Sequence, residues 1–193
     1  MIELKNVSKS FDNKKVLDSF SAVFEDGMYL LKGPSGIGKT TCIRIILGLL
    51  KPDEGEVIRP DGMRFSVCFQ ENRLFEKETV LTNILAVNEG VSVTDATSAI
   101  LELLPSDSPN KKAGELSGGM KRRLAVIRAM LHESDCVVLD EPLTGLDDEA
   151  RAKTINFIRE RLNGRLLIVT SHDERGLDDL SVVNIDGSFK PHS

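Results

Sequence analysis

With 193 residues, the chain is long enough for one large domain or for two subdomains that share a core. Its 40% apolar and 28% charged residues are ordinary globular usage, and its net charge of −5 gives no overall basic surface, so we expect no nucleic-acid partner. No apolar run approaches the ~18 residues of a membrane span. The N-terminus lacks the basic-then-apolar layout of a secretion signal, so we expect a soluble cytoplasmic protein.

Residues 2–31 predict an antiparallel β region. Apolar and polar residues alternate at its start and again over 16–24, on either side of a turn at Asp12-Asn13. A second turn at 25–27 leads into a short apolar strand at 28–31. This part of the chain therefore predicts strands throughout, connected by tight turns.

The next segment matches the phosphate-binding pattern G-x-x-x-x-G-K-[ST] at every fixed position. It follows the strand at 28–31 and precedes a helical pattern over 41–50, the strand–loop–helix context that the motif requires. Its glycines let successive N–H groups point at one centre, and the helix N-terminus adds partial positive charge. The predicted phosphate-binding residues are Gly33, Pro34, Ser35, Gly36, Ile37, Gly38, Lys39, Thr40 and Thr41.

The middle of the chain differs in character from what precedes it. After a turn, residues 57–58 and 64–69 predict strands, the second ending at Gln70. Helical patterns then appear over 80–87 and 94–104, and the loop that follows is rich in Ser, Pro, Asn and Lys. We interpret the stretch from 71 to about 112 as a helical insertion into a nucleotide-binding fold.

The second half contains two strands of the kind that is buried on both faces. Residues 136–139 are entirely apolar and end in Asp140-Glu141, and residues 166–169 are followed closely by His172. Carboxylates at the C-terminal end of such a strand lie where open α/β sheets place their ligands. A helix is predicted from 147 to about 162, and the tail over 182–189 predicts a final hairpin with its turn at Asp186-Gly187.

Several residues have two interpretations from their pattern alone. Phe11 is a core residue or an aromatic that stacks on a nucleotide base, and the isolated residue favours the core. The basic trio at 121–123 opposes the dipole of the helix it begins, so it is either a solvated face or part of an anion site. The cysteines match no metal or redox spacing, and we expect Cys42, Cys68 and Cys136 to be small buried residues in a reducing compartment.

Together these motifs resemble the ATP-binding subunit of an ATP-binding-cassette (ABC) transporter. The most specific element is Leu-Ser-Gly-Gly at 116–119, placed between the phosphate loop and the Asp-Glu strand. The resemblance implies an α/β fold: a P-loop NTPase core with an N-terminal antiparallel β subdomain and an inserted helical subdomain. Residues 1–193 would form a single ATPase domain, with the insertion at roughly 71–125. Met120 departs from the family, which usually has glutamine there.

The resemblance also implies roles for individual residues. Phe11 would stack on adenine, and Gln70 would sense Mg²⁺ and the attacking water. Glu141 would polarise that water as the catalytic carboxylate, with His172 as the switch histidine. The implied Mg²⁺ residues are Thr40, Gln70 and Asp140, and the implied signature residues at the γ-phosphate are Ser117, Gly118 and Gly119.

In the family, the phosphate loop and the signature of one chain face different nucleotides. The resemblance therefore implies a head-to-tail dimer around two ATP molecules, formed with an identical or a different second chain. A separate membrane permease subunit would be the other partner, and the chain would lie on the inner face of the cell membrane. The transported substrate and the direction of transport stay open.

Three other classes of protein share parts of this pattern. A non-transport ABC ATPase of repair or translation is the main alternative, although the chain shows neither coiled-coil heptads nor an internal repeat. A GTP switch would need Asn-Lys-x-Asp, which is missing at both Asn-Lys pairs. A small-molecule kinase would not explain residues 116–119.

Overall fold

Two β sheets and five α-helices make up the described part of the chain. The computed structural model describes residues 1–12, 14–185 and, for the backbone alone, 189–190. The strands are β1 (Ile2–Phe11), β2 (Lys14–Phe24), β3 (Met28–Lys32), β4 (Glu54–Ile58), β5 (Phe65–Cys68), β6 (Cys136–Asp140), β7 (Leu166–Thr170), β8 (Ser181–Asn184) and β9 (Phe189–Lys190). The helices are α1 (Lys39–Ile46), α2 (Val80–Leu85), α3 (Val93–Leu103), α4 (Gly118–Leu131) and α5 (Asp148–Arg161).

The first sheet is antiparallel, with strand order β2-β1-β4. Ile2, Leu4 and Val7 of β1 and Phe24 of β2 are buried, and they share a core with α1. The predicted alternation therefore identified the buried face, and the predicted N-terminal antiparallel layer is confirmed. The predicted turn at Asp12-Asn13 lies partly outside the described residues, since Asn13 is not among them.

The second sheet has strand order β5-β6-β7-β3-β8-β9 and is parallel except for the β8–β9 pair. The prediction that 28–31 belongs to the antiparallel region is wrong, because β3 pairs in parallel with β7 and β8. Each residue of β6 and β7 is buried, which explains their apolar sequences. The pairing of β8 with β9 agrees with the predicted hairpin, whose turn at Asp186-Gly187 lies outside the described residues.

Helix α1 is shorter than predicted. The helical pattern ran to Leu50, but the helix ends at Ile46 because Gly48 adopts a left-handed conformation, with φ +73°. The N–H groups of Leu49 and Leu50 turn back to the carbonyl of Arg44, at 2.9 and 3.1 Å. Glycine just past the last turn is a common helix stop, so the signal was present in the sequence.

Helices α2, α3 and α4 pack around one apolar cluster. Ile84 of α2, Ile100 of α3 and Leu124 of α4 are fully buried in it, together with Val137 and Val169 of the parallel sheet. The core is thus continuous from the sheet into the helical region. No helix within residues 1–12 and 14–185 is both long and apolar enough to cross a bilayer.

The three cysteines are free and buried, as predicted. Burial raises the pKa of the Cys42 and Cys136 thiols to about 12, because desolvation disfavours the thiolate. Burial also raises the pKa of Cys68. These thiols therefore act as small apolar side chains of the core.

Candidate functional site

The phosphate loop connects β3 to α1, and glycine is required at its last turn. Gly38 has φ +117° and precedes the first residue of α1. A Cβ atom at Gly38 would lie 2.8 Å from Cγ1 of Val16 and 2.9 Å from its carbonyl oxygen. The loop can therefore pass close to the β1–β2 hairpin only without a side chain at Gly38. The first N–H groups of α1 have no partner within the helix, so they can face an anion.

Lys39 is held inside this loop. Only 6% of Lys39 is exposed, and its Nζ donates to the carbonyls of Gly33 at 2.7 Å and Pro34 at 3.2 Å. The positive charge is thereby kept at the mouth of the loop, next to the start of α1. Phosphate oxygens placed there would be stronger acceptors for the ammonium group than these neutral carbonyls.

Asp140 ends β6 beside α1 and β7. Its Oδ2 accepts a hydrogen bond from Thr40 Oγ1 at 2.9 Å, and its Oδ1 accepts one from Thr170 Oγ1 at 2.6 Å. The residue is 1% exposed. Thr170 was not predicted as a site residue, although it directly continues the apolar run at 166–169. Both threonines fix the orientation of the carboxylate.

The oxygen donors of this site suit Mg²⁺. The hydroxyl of Thr40, the carboxylate of Asp140 and the amide oxygen of Gln70 border one cavity and are hard ligands of the kind that Mg²⁺ takes. Within the described residues there is no group of three or more His, Cys, Asp or Glu side chains able to hold a metal. A Mg²⁺ ion here would therefore need phosphate oxygens or water to complete its coordination.

Glu141 has a strained backbone and a partly unsatisfied side chain. Its φ is +55°. This left-handed conformation is higher in free energy for any residue that carries a side chain. Its buried Oε1 accepts no hydrogen bond, although His172 Nε2 lies 2.9 Å away, close enough for an ion pair when the imidazole is protonated. Its Oε2 accepts from Thr144 Oγ1 at 3.3 Å. An unsatisfied carboxylate oxygen beside a histidine can accept a proton from bound water.

A cavity of about 160 Å³ brings most of the predicted site residues together. Gly33, Pro34 and Ile37 line a neighbouring cavity with His172. A larger cavity, of about 650 Å³, lies away from these motifs beside β1, β2 and β8 and contains none of the predicted residues. The residues around the smaller cavity are Ser35, Gly36, Gly38, Lys39, Thr40, Thr41, Gln70, Asp140, Glu141 and His172.

Phe11 lies at the end of β1 and is 45% exposed. The preference for a core residue at Phe11 is therefore wrong. Its strand pairs with β2, which contains Val16, the residue that contacts the phosphate loop at Gly38. Lys9 Nζ lies 5.6 Å from the centroid of the Phe11 ring. The exposed ring is available for stacking, and its contact with adenine stays a prediction.

The signature residues lie apart from the phosphate cavity. Ser117 is exposed, and its Oγ accepts from the Met120 N–H at 3.3 Å, which caps α4. Gly118 and Gly119 line a second cavity, of about 340 Å³, which Gln70 and Glu141 also border. The chain's own signature therefore does not line the cavity formed by its own phosphate loop.

The interpretation of the basic trio as a solvated face is wrong for Arg122, and the anion site stays a prediction. Arg122 is 4% exposed, and its guanidinium donates to the backbone carbonyls of Glu141 and Phe69. Lys121 pairs with Glu76 at 2.9 Å, and Arg123 donates to the carbonyl of Leu103. The cost of cations in the first turn is offset by these contacts with other segments.

The parallel sheet, the phosphate loop after β3 and the Asp-Glu pair after β6 define a P-loop nucleoside triphosphatase. Comparison with known proteins narrows the class. The family model "ABC transporter" matches residues 19–144. Nod factor export ATP-binding protein I of Burkholderia lata is 36% identical over 94% of this chain and 67% of its own length. The protein of the same name from Burkholderia thailandensis is 35% identical over 89% of this chain and 62% of its own.

Solved structures agree with that family. A dimeric post-hydrolysis structure of the ATP-binding cassette MJ0796 with ADP and Pi has a TM-score of 0.84 and 25% identity, and covers 100% of this chain and 98% of its own. A dimeric structure of MJ0796, a bacterial ABC transporter cassette, has a TM-score of 0.79 at 25% identity, covering 96% and 95%. The chain belongs to the ABC transporter family as an ATP-binding subunit, an ATPase, and the predicted fold class is confirmed.

Proposed function

We propose that two chains close head to tail around two ATP molecules, and that hydrolysis drives substrate movement through a separate membrane permease. The observation that carries this proposal is the separation of the two halves of the site. Ser117 and Gly118 are exposed and do not line the phosphate cavity, which supports a nucleotide that is held by one chain and met by the signature of a second. The dimeric cassettes that this chain resembles support the same arrangement.

Each half of the proposed site has a defined task. Lys39 and the loop N–H groups hold the phosphates, and Phe11 stacks on adenine. Thr40, Gln70 and Asp140 hold Mg²⁺, whose charge neutralises the phosphate oxygens. Glu141 orients the attacking water and accepts its proton at Oε1, and His172 lies beside that oxygen. In the opposite chain, Ser117, Gly118 and Gly119 contact the γ-phosphate.

An exposed aromatic supports a permease partner. Phe75 is 49% exposed, yet its backbone is fixed by the buried Asn83, which accepts from its N–H at 2.8 Å and donates to its carbonyl at 3.0 Å. A rigidly held apolar side chain on the surface suits contact with another protein. We propose that the permease binds here, at the inner face of the cell membrane, and that residues 1–193 are one ATPase domain with its helical insertion at roughly 71–125. The relatives' names favour export.

The dimer is tested with Glu141→Gln. This change keeps the size of the side chain but removes the carboxylate, so ATP should bind while hydrolysis stalls. Size analysis should then show a shift from monomer to dimer with Mg·ATP and none with Mg·ADP. Adding Ser117→Arg should abolish the shift, because a bulky cation would occupy the γ-phosphate position of the opposite chain. A shift that survives Ser117→Arg would contradict the composite site.

Complementation provides the matched control. Chains with Lys39→Ala alone and chains with Ser117→Arg alone should each lack ATPase activity. When they are mixed, one site of the dimer combines an intact Lys39 with an intact Ser117, so some activity should return if one site can turn over alone. An inactive mixture in which mixed dimers form would show that both sites must be intact.

A further inference from the structure

Arg122 connects the signature helix to the catalytic segments. It lies on α4, one turn beyond Gly118, and is 4% exposed. Its guanidinium donates to four backbone carbonyls and one side-chain amide, which belong to the end of β6 and to the loop after β5. The acceptors are the carbonyls of Asp140, Glu141 (2.9 Å), Phe69 (2.6 Å) and Gln70 (3.2 Å), and Oδ1 of Asn72 (3.1 Å).

Arg122 provides one of three hydrogen bonds to the backbone groups of Glu141, another of which is donated by the Thr144 N–H to the Glu141 carbonyl at 3.3 Å. The Glu141 N–H donates to Thr170 Oγ1 at 2.9 Å, and its carbonyl accepts from Arg122 Nε at 2.9 Å. A left-handed conformation of a residue with a side chain persists only when its surroundings fix it. Without Arg122, the carbonyl of Glu141 keeps only the longer bond from the Thr144 N–H, and the residue can relax away from φ +55°.

Gln70 and Glu141, two of the residues whose backbone Arg122 holds, border both cavities of the site. On one side they line the phosphate cavity with Lys39, and on the other they line the cavity that contains Gly119 and Arg122. The residues around the phosphate cavity do not include Arg122 itself. Any effect of Arg122 on the reaction therefore passes through the residues that it holds at that cavity, which are Gln70, Asp140 and Glu141.

We propose that Arg122 is a positioning residue for hydrolysis, which fixes the backbone of Glu141 and Gln70 for the attack of water on the γ-phosphate. The inference rests on the proposed function, which gives these two residues their roles. A displaced catalytic group lowers the rate of the chemical step and leaves ground-state binding nearly unchanged. Replacing Arg122 should therefore lower kcat and not raise KM.

Arg165 is a matched control. Its guanidinium also donates to four backbone carbonyls and one side-chain oxygen, at the ends of α4 and α5 that lie away from the site. The acceptors are the carbonyls of Leu162 (2.9 Å), His132 (2.9 Å), Met130 (3.0 Å) and Arg161 (2.5 Å), and Oγ of Ser134 (3.3 Å). Arg165→Gln therefore removes a similar set of bonds without touching the catalytic segments.

The test compares steady-state ATPase kinetics of the full chain and its variants, at a temperature below the Tm of each. Arg122→Gln should lower kcat about tenfold to a hundredfold, with KM for Mg·ATP within about threefold. Arg165→Gln should lower Tm by a similar amount and keep kcat within about twofold. Arg122→Lys keeps the positive charge but loses the branched N–H donors of the guanidinium group. Its kcat should therefore lie between those of the wild type and Arg122→Gln.

The outcomes test the proposed function and the proposed role of Arg122 separately. A wild-type chain that does not hydrolyse Mg·ATP contradicts the proposed function, and the inference falls with it. Wild-type hydrolysis with an unchanged kcat for Arg122→Gln overturns the inference alone, and so does an equal loss of kcat in Arg165→Gln. If Arg122→Gln does not fold, Arg122→Lys decides, and a wild-type kcat for that variant overturns the proposal.

Discussion

The phosphate loop and the signature segment differ in how their groups are engaged. Around the loop, Lys39 and Asp140 are buried and bonded within the chain, to Gly33 at 2.7 Å and to Thr40 at 2.9 Å. In the signature, a Cβ atom at Gly118 would meet nothing within 4 Å. The first region is assembled by one chain, whereas the second has open surface at Gly118.

The segment around Phe75 resembles the signature in this comparison. Phe75 is exposed, but Asn83, which fixes its backbone, is completely buried. Exposure of a side chain on a well-held backbone lowers the entropy lost when a partner binds. The contrast therefore separates groups that are bonded within one chain from groups that we propose are completed by a second protein.

The largest expected effect tests whether the phosphate loop binds the nucleotide within a single chain. Lys39→Ala removes a cation that would make charge-assisted bonds to two phosphates, each worth roughly 1.5–3 kcal/mol. We expect the affinity of the single chain for Mg·ATP to fall by about a hundredfold or more, as measured by calorimetry. Ser117→Arg should leave that affinity within about twofold, because the signature does not border the phosphate cavity of its own chain. Equal losses of Mg·ATP affinity in both variants would contradict this distinction between the phosphate loop and the signature.

A second substitution tests whether Phe75 contacts the proposed permease. Phe75→Asp places a charge at an exposed apolar position, and an aromatic anchor of an interface contributes about 2 kcal/mol or more. Association of the chain with the proposed membrane permease should weaken at least about thirtyfold, while binding of Mg·ATP and the Tm stay unchanged. Loss of nucleotide binding in this variant would instead place Phe75 in the folded core. Capture of the membrane protein on immobilised chain measures the first effect.

The phosphate loop could be predicted because its determinants are consecutive in the sequence. The same holds for the buried strands, whose apolar runs need no knowledge of their neighbours. The role of Arg122 could not be predicted, since its acceptors lie 18 to 53 residues away in the chain. Thr170 presents the same difficulty, because the Asp140 carboxylate it contacts is 30 residues away. Motifs identify the groups that touch a ligand, whereas the groups that position them depend on the fold.

Strand pairing marks another limit of the sequence. Apolar alternation found the buried positions of β1, but the short apolar run of β3 fits either sheet. Its parallel pairing with β7 depends on a segment more than a hundred residues later. That pairing brings the phosphate loop beside Asp140, because β3, β6 and β7 run in the same direction. The arrangement of the site thus follows from non-local pairing.

The smallest expected effect concerns Phe11, which is part of neither the phosphate loop nor the signature segment. Its ring is 45% exposed at the end of β1, so replacing it with alanine should leave the Tm within about one degree. Stacking on a base contributes roughly 1–3 kcal/mol, and a half-exposed ring belongs at the lower end of that range. Phe11→Ala should therefore weaken Mg·ATP binding about fivefold. Because stacking does not read the edge of the base, Mg·GTP should weaken by a similar factor. If nucleotide affinity is unchanged, the adenine contact lies elsewhere, and the nucleotide is held by its phosphates alone.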